Sequence, residues 1–511
     1  MSATLSDSST PTGFWRKGLL IFLAVLALAA PQAALLPLLD RDEPRFAEAS
    51  REMLQSGNFV VPTFNHAPRY AKPPLIYWCQ ALSFTLFGEN ALAARLPSLA
   101  ATAGTAVLLA LWGAQLGGEQ LGLGAALAYA FCFQTVQQGR VATADALLIF
   151  FMTLTAFAGW KIISPEQNHE KAVAPANREW RHYFWDTVLA LGFAGGFLAK
   201  GPEALLPFLP LLLCARRSVG GAYAALTINF LLGLVIVLFW AIPAYIQTQG
   251  DYWRVGLSEG VGERMVTGLQ GHGATSFGWY LLGAFLYYPL WFLLGALPWW
   301  PLLLTRRKEL FASWKPDLLD TYLLLNAGLI FAIFSLMVTK LPHYTLPAFP
   351  FLALVFARRW KSVGLSPGYL TQLGWVAGFV LAALTAVLVP IAIANHATPS
   401  PVGELVRDAH DVLTPQTEFA LVDFQEPNAI WEMRRVATGY GQSIPASEVV
   451  DFLDQPGPHA VVLSTSLWQK LSEDADPSWK IFEAPGWNTA KGWDSAKWNF
   501  AFIDLTLVVK P

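Results

Sequence analysis

Apolar segments long enough to cross a lipid bilayer recur along most of this chain, and they restrict its possible folds more than any other feature. About 20 apolar residues in helical form span the hydrocarbon core, and runs of roughly this length follow one another from residue 18 to residue 394. Only 14% of the residues are charged and 54% are hydrophobic, whereas about a quarter of a typical soluble protein is charged. The formal net charge of −2 leaves no basic face for nucleic acid. The sequence therefore predicts a polytopic membrane protein.

The apolar runs predict about eleven membrane helices, and residues 72–90 could add a re-entrant or further helix. The first run resembles a signal sequence, but it continues to Leu39 and many spans follow, so we interpret it as an uncleaved span. The helices are expected near residues 18–39, 92–114, 119–137, 145–163, 184–199, 203–215, 222–246, 278–304, 320–338, 345–357 and 369–394.

Lysine and arginine residues predict the orientation of these helices. Arg16 and Lys17 precede the first run and place the N terminus in the cytoplasm of an inner, or plasma, membrane. Alternate counting then predicts cytoplasmic loops near residues 115–118, 164–183, 216–221, 305–319 and 358–368, and all but the short first one contain basic residues.

The opposite, outer side receives charged residues of both signs from several separate loops. A charge at a membrane boundary is unfavourable unless it is paired or functional, so we expect these residues to converge on a site. For any single residue, interfacial snorkelling or a structural ion pair is the alternative. The charged residues are Asp42, Glu43, Arg45, Lys72, Arg140, Asp145, Lys200, Glu263, Arg264, His272, Lys340 and His343.

The first outer loop, residues 40–90, is the most informative segment. Pro44 suits the first turn of a helix and Gly57 its end, which predicts a short amphipathic helix lying along the membrane surface. Asp42 stands at the N terminus of this helix, where it is either a reactive carboxylate or merely a cap. Pro73 and Pro74 hold Lys72 rigidly at headgroup depth, where it could bind a phosphate or anchor a lipid headgroup.

Residues 397–511 are more polar and predict a small outer-side α/β domain after the membrane part of residues 1–396. Strands are expected at 419–424, 459–464 and 500–509, and helices near 427–435 and 447–453. The pattern leaves open whether this domain serves as a lid, docks an acceptor or only packs.

The first outer loop contains two motifs, Asp42-Glu43-Pro44-Arg45-Phe46-Ala47-Glu48 and Lys72-Pro73-Pro74-Leu75-Ile76-Tyr77-Trp78. These motifs closely resemble those of the aminoarabinose transferase-like glycosyltransferases, which are grouped with the protein O-mannosyltransferases in the C-type (GT-C) superfamily. Further matches follow in the same order as in the family: Arg140 with Asp145, Lys200-Gly201-Pro202, Glu259 to Arg264 with Gly271-His272-Gly273, and Lys340-Leu341-Pro342-His343-Tyr344.

The resemblance implies an all-α polytopic fold of about 11–13 transmembrane helices with the small C-terminal α/β domain and an active site on the outer side. It also implies transfer of a pentose such as aminoarabinose, or of a hexose, from a polyprenyl-phosphate carrier to a cell-envelope acceptor such as lipid A. By match, Asp42 and Asp145 are the candidate catalytic carboxylates. The candidate substrate-binding residues are Glu43, Arg45, Lys72, Arg140, Lys200, Glu263, Arg264, Lys340, His343 and Tyr344.

This chemistry needs no cofactor, and the resemblance suggests a metal only through His272, which matches a histidine of the family's structural zinc site. Family members often have Glu directly before Lys-Pro-Pro, where this chain has Ala71, so we predict no bound zinc. A protein acceptor, as in the O-mannosyltransferases, is an alternative to a lipid. A secondary transporter is the alternative from another class, but it would be expected to place its charges at mid-membrane within related halves.

Overall fold

The computed structural model describes residues 14–38, 42–164, 179–216, 222–257, 277–311, 314–394, 400–422, 427–437, 441–472, 475–487, 493–494, 499–500 and 502–511. Up to residue 394 the long elements are helices, and the predicted all-α membrane part is confirmed. The helices are α1 (Phe14–Leu35), α2 (Asp42–Ser56), α3 (Leu75–Phe87), α4 (Ala91–Gly117), α5 (Glu119–Ala130), α6 (Phe133–Gln138), α7 (Asp145–Ile163), α8 (Glu179–Lys200), α9 (Phe208–Ala215), α10 (Ala222–Gln247), α11 (Asp251–Leu257), α12 (Phe277–Gly295), α13 (Trp300–Thr305), α14 (Arg307–Phe311), α15 (Leu318–Leu336), α16 (Phe349–Ser362) and α17 (Pro367–Ala394).

Six helices of the described part are long and apolar enough to cross a membrane, and this makes the chain a multi-pass membrane protein. They contain Arg16–Leu35, Ala91–Gly117, Asp145–Ile163, Ala222–Gln247, Leu318–Leu336 and Pro367–Leu388. The predicted span 278–304 contains the shorter apolar helix Gly283–Gly295, and the possible re-entrant or further helix at 72–90 is the short apolar helix Leu75–Phe87.

Several predicted spans are interrupted. The run 119–137 breaks between α5 and α6, where the Phe133 N–H bonds the Leu297 carbonyl at 2.8 Å instead of continuing a helical ladder. Proline explains the other breaks, because it removes a helical hydrogen bond. Three further predicted spans are accordingly split into shorter elements: 203–215, 278–304 and 345–357. Two 3₁₀ turns, Pro202–Leu205 and Pro342–Ala348, lie at the start of the first and the third of these runs.

Contacts between helix ends define one end of the bundle. Lys17 pairs with Glu119 at 2.5 Å, and Lys361 donates to the Gly117 carbonyl at 2.6 Å. Arg358 pairs with Asp317 at 2.6 Å, which places the start of α15 at the same end of the bundle. Segments that the charge pattern assigns to one side of the membrane therefore meet at one end, which we call the basic end.

The C-terminal part is an α/β domain, as predicted, and its main sheet has five strands. The strands lie in the order β4 (Gln442–Ser443), β3 (Glu418–Leu421), β5 (His459–Ser464), β9 (Phe502–Lys510) and β6 (Lys480–Trp487). Strands β4, β3 and β5 are parallel, whereas β9 runs antiparallel to both of its neighbours. The predicted boundary at residue 396 falls outside the described residues. The elements are α18 (Pro401–Asp408), β3 (Glu418–Leu421), α19 (Pro427–Met433), β4 (Gln442–Ser443), α20 (Val449–Asp454), β5 (His459–Ser464), α21 (Thr465–Leu471), β6 (Lys480–Trp487), β7 (Trp493–Asp494), β8 (Asn499–Phe500) and β9 (Phe502–Lys510).

The predicted amphipathic helix of the first loop exists as α2, and its charged face is covered by protein. Helix α2 packs between α3 and α19 of the C-terminal domain, and both its apolar Phe46 and its charged Glu48 and Glu52 are buried. The charges of Glu48 and Glu52 would favour exposure to solvent, but both carboxylates accept hydrogen bonds from groups within the protein. The short hairpin of β1 (Thr63–Phe64) and β2 (Ala67–Pro68) follows, with its turn residues Asn65 and His66 at φ 51° and 59°.

Candidate active site

A buried ion pair joins two helix ends at the end of the bundle opposite the basic end. Asp145 begins α7 and Lys200 ends α8; their Oδ1 and Nζ atoms lie 2.7 Å apart, and their side chains are 13% and 6% exposed. The Thr143 hydroxyl donates to the second Asp145 oxygen at 2.9 Å, and Glu203 lies 3.2 Å from Lys200. The helix dipoles stabilise a carboxylate at an N terminus and an ammonium at a C terminus. Both groups are therefore suited to remain charged.

The segment after α15 completes this cluster. The Lys200 ammonium lies 5.3 Å from the centre of the Tyr344 ring, and His343 interacts electrostatically with Asp145. Lys340 instead donates to the Ser335 and Met337 carbonyls at 2.7 and 2.5 Å, and thus caps the end of α15. Burial lowers the pKa of Lys340. The structure brings His343 and Tyr344 to the Asp145 site and gives Lys340 a capping contact.

Glu43 forms a second buried ion pair, with Arg95 of α4. Two parallel bonds of 2.6 and 2.7 Å join the guanidinium to the carboxylate, and the Ala142 N–H donates to Glu43 at 2.8 Å. Arg95 also donates to the carbonyls of Ala33, Leu36 and Pro37, which end α1. Glu43 thus ties the start of α2 to the turn that leads into Asp145.

The exposed carboxylate Asp42 is the first residue of α2. It and Arg69 both interact electrostatically with the Tyr77 hydroxyl, to which Arg69 donates at 3.2 Å. The Arg69 guanidinium lies 5.2 Å from the centre of the Phe46 ring, and Arg45 is half-buried in the same first turn of α2. Because the next residue, Glu43, bonds Ala142, Asp42 lies close to the turn that carries Asp145.

Lys72 and Lys200 line a common cavity of about 240 Å³. Its wall is otherwise mostly aromatic and aliphatic, with Phe197, Trp240 and Phe334 among its members. Glu203 and Tyr252 add polar groups, whereas neither Asp42 nor Asp145 is among the described residues of the wall. The arrangement offers two cations inside an apolar groove, which is suited to an anionic lipid.

The loop that carries Lys72 is held by two aromatic residues. The Tyr252 hydroxyl donates to the Lys72 carbonyl at 2.5 Å, and the Trp240 indole donates to the Val60 carbonyl at 3.0 Å. The Tyr252 ring also packs on Tyr70 and on Trp240. These contacts fix the Lys72 backbone, which the two following prolines already restrict.

Arg140 lies apart from the cavity. It bonds Gln137 at 3.4 Å and interacts with Glu43 and Arg95, and burial followed by the nearby Arg95 cation lowers its pKa to about 10. The other predicted site residues, Glu263, Arg264 and His272, lie outside the described residues. Within the described ranges, no three His, Cys, Asp or Glu side chains are grouped to hold a metal.

A polar cluster joins α2 to the C-terminal domain. Glu48 takes two bonds from Arg51, at 2.6 and 3.0 Å, and Glu52 accepts from the Thr63 hydroxyl at 2.5 Å. Arg434 stacks on Trp431 at 3.4 Å and donates to the Glu89 carbonyl at 3.0 Å. Burial raises the pKa of Glu48 and lowers that of Arg434 to about 10. This cluster surrounds a cavity of about 160 Å³.

Sequence reasoning missed several residues of these sites. Glu203 follows Lys200 at helical spacing, and that spacing was a usable signal. Arg95 is a lone arginine within a long apolar helix, where charge usually indicates pairing or function. Tyr252 and Arg434 had no local signal, because their partners are distant in the sequence.

The fold and the site define a class: a multi-pass membrane protein with paired charges at one end and a lysine-lined apolar cavity beside them. Residues 15–250 match the family described as dolichyl-phosphate-mannose-protein mannosyltransferase. The chain is 30% identical over 324 residues to an undecaprenyl phosphate-alpha-4-amino-4-deoxy-L-arabinose arabinosyl transferase of Edwardsiella ictaluri, covering 62% of this chain and 54% of that protein. It is 33% identical over 327 residues to the protein of the same name from Pseudomonas savastanoi pv. phaseolicola, covering 62% and 56%. The chain thus spans about half the length of these curated relatives.

Among solved structures, ArnT from Cupriavidus metallidurans bound to undecaprenyl phosphate superposes with a TM-score of 0.71 over 98% of both chains, at 16% identity. The predicted resemblance is confirmed. The chain is similar in sequence to the aminoarabinose transferases, residues 15–250 match the mannosyltransferase family model, and the fold is that of the ArnT structure.

Proposed function

We propose that this protein is a membrane glycosyltransferase that moves a sugar from a polyprenyl-phosphate carrier to a cell-envelope acceptor such as lipid A. The observation that carries the proposal is the cavity shared by Lys72 and Lys200. Its apolar wall suits a polyprenyl chain and its two ammonium groups suit the carrier phosphate. The names of the relatives, which refer to undecaprenyl phosphate, support the same donor.

In this proposal each group has a separate role. Lys72 and Lys200 stabilise the negative charge that develops on the leaving phosphate. Asp145 and Glu203 hold the Lys200 ammonium in place, and Thr143 orients Asp145 by donating to its second oxygen. Asp42, which is exposed at the start of α2, positions the sugar or the incoming group, and acts as a general base if the acceptor is a hydroxyl.

The remaining predicted residues support or extend this site. Glu43 positions the start of α2 through Arg95, and His343 and Tyr344 lie around the ion pair. Arg45, Arg140 and Lys340, together with Glu263 and Arg264, are proposed to contact substrate. We further propose an inner-membrane location with the Asp145 end and the C-terminal domain outside, supported by the basic loops that gather at the other end. No cofactor or metal takes part in the proposed transfer.

A protein hydroxyl is the second candidate acceptor, because residues 15–250 match the protein mannosyltransferase family. A hydroxyl acceptor needs a base, whereas a phosphate acceptor is already ionised. Replacement of Asp42 by Asn should therefore abolish transfer to a hydroxyl and only weaken transfer to a phosphate.

The test supplies membranes containing the protein with undecaprenyl phosphate that carries radiolabelled aminoarabinose or mannose. Label should appear in lipid A, or in protein under the second candidate, and Lys72→Ala should reduce it by at least about tenfold, since a charged hydrogen bond contributes about 1.5–3 kcal/mol. Arg254→Ala, at an arginine that is 77% exposed, is the control. Transfer by Lys72→Ala at the wild-type rate would refute the role of the cavity, and no transfer from either carrier would refute the proposed donors.

A further inference from the structure

A second cavity, of about 210 Å³, lies toward the basic end and takes no part in the proposed transfer. Helix α16 forms one side of it, from Phe349 to Arg359, a rise of about 15 Å. Residues between 299 and 311, together with Trp314 and residues of α5, α12 and α15, complete the wall. Almost all of the lining is apolar and aromatic, including Phe292 and Phe356. The length and lining suit a hydrocarbon chain and exclude a soluble sugar or nucleotide.

Two indole groups in this wall have N–H donors without an acceptor among the described residues. Trp299 is only 5% exposed, and among the described residues neither its Nε1 nor that of Trp300 has a hydrogen-bond partner. A buried N–H without an acceptor is unfavourable. Since indole groups favour the interfacial depth of a bilayer, the ester oxygens of a lipid are acceptors of suitable chemistry and position.

The mouth of the cavity is positively charged. Leu303 and Leu310 belong to its wall, and between them lie the exposed residues Arg306, Arg307, Lys308 and Glu309. Glu309 pairs with Arg306 at 3.4 Å, so the three cations outnumber the one carboxylate. Arg359 lines the same end, 5.6 Å from the centre of the Trp314 ring. Basic residues beside an apolar crevice at a membrane surface favour anionic headgroups over zwitterionic ones.

We propose that this cavity binds an acyl chain of an anionic phospholipid, with the lipid phosphate at Arg306, Arg307 and Lys308 and its ester oxygens at the two indoles. The charged mouth of the cavity is at the opposite end of α15 and α16 from the Asp145 cluster, because Arg358 pairs with Asp317 at the start of α15 and Tyr344 lies beside Lys200 just before α16. It therefore stands independently of the proposed transfer.

Photo-crosslinking tests the site. The full-length protein is placed in phosphatidylcholine nanodiscs with a trace of phosphatidylglycerol that bears a diazirine on one acyl chain, and labelled peptides are identified by mass spectrometry. Label is expected to concentrate in residues 296–303 and 349–356. Ala353→Phe fills the cavity, since Ala353 lines it and is 7% exposed, and should remove most of that label. The control Ala386→Phe adds the same ring at an exposed position of α17 and should leave it.

Headgroup selectivity is measured with Arg307→Gln combined with Lys308→Gln, two exposed positions whose replacement leaves the cavity wall intact. The preference for phosphatidylglycerol over phosphatidylcholine should fall by about fivefold for each charge removed. Label spread evenly over all lipid-facing helices, or unchanged in Ala353→Phe, would overturn the proposal. So would label that undecaprenyl phosphate displaces and excess phosphatidylglycerol does not, because the occupant would then be the polyprenyl carrier.

Discussion

Lys200 and Asp145 form an ion pair that connects the last residue of α8 to the first residue of α7, with 2.7 Å between Nζ and Oδ1. The pair lies where the helix dipoles favour both charges. Lys200 also lines the cavity that it shares with Lys72, so the pair links a helix junction to the proposed phosphate site. Both the stability of the fold and the transfer activity should therefore depend on this ion pair, and the two effects can be measured separately.

Removal of Lys200 alone should reduce both stability and transfer. Lys200→Met leaves the buried Asp145 carboxylate without its cation, and loss of one partner of a buried pair lowers the free energy of unfolding by about 3 kcal/mol. The measurement is thermal unfolding of the purified protein in detergent, with sugar transfer assayed in parallel.

The double variant Lys200→Met with Asp145→Leu separates the two effects. With both charges replaced by apolar groups, stability should return close to the wild-type value, whereas transfer should stay lost because the cavity has lost a cation. A double variant that transfers sugar normally would show that Lys200 has only a structural role.

Arg95 should tolerate no conservative replacement. Its guanidinium makes two bonds to Glu43 and donates to three carbonyls, and a lysine ammonium cannot reproduce this planar set of donors. Arg95→Lys is expected to lower the free energy of unfolding by about 2–3 kcal/mol, as measured by the fraction that stays monodisperse after heating. Arg254→Lys, at an exposed arginine, is the matched control, and equal stability of the two variants would contradict the structural role.

Arg434 should hold the C-terminal domain on the first loop. It contacts Trp431 and the Glu89 carbonyl, and Trp431 packs on Phe84 of α3 at 5.8 Å. Arg434→Ala should therefore speed the release of the C-terminal domain by limited proteolysis several-fold. Lys470→Ala, at an exposed position of the same domain, should not change the release rate. If Arg434→Ala also leaves it unchanged, the domain is held by other contacts.

Glu432 should make the stability of the protein depend on pH. Burial raises its pKa above 4.5, against the opposing effect of Arg434, Arg407 and Arg435. A carboxyl whose pKa is raised on folding stabilises the folded state below its unfolded pKa, and this contribution is lost as pH rises through the folded pKa. Glu432→Gln cannot ionise, so its unfolding temperature relative to wild type should be higher at pH 8 than at pH 4.5. A constant difference would show that the carboxyl is not perturbed.

The membrane part could be predicted closely because its signals are local. Apolar length located the helices, and the Lys-Pro-Pro and Lys-Gly-Pro segments located two cations that do share a cavity. The break between α5 and α6 depended on a distant partner, the Leu297 carbonyl that accepts from Phe133. No local pattern contains that information.

The surroundings of the first loop, in contrast, could not be predicted from local signals. The spacing of Phe46, Ala49 and Met53 correctly predicted an amphipathic helix, but the charged face suggested solvent or headgroups. In the structure Glu48 and Glu52 are buried beneath the C-terminal domain, where Arg51 and Thr63 satisfy them. Only the fold brings residues 427–437 to this face.

The proposed orientation can be tested in intact cells. Cys79, Cys132 and Cys214 are first replaced by Ala, and Asp42→Cys or Arg306→Cys is then introduced, since both positions are exposed and lie at opposite ends of the bundle. A membrane-impermeant maleimide should label position 42 from outside and position 306 only after the membrane is opened. The reason is that the basic loops, including Arg306, Arg307 and Lys308, are expected to stay in the cytoplasm. Labelling of position 306 in intact cells, with position 42 protected, would show that the orientation is the reverse of the one proposed. The Asp145 site would then lie on the wrong side of the membrane for an envelope acceptor.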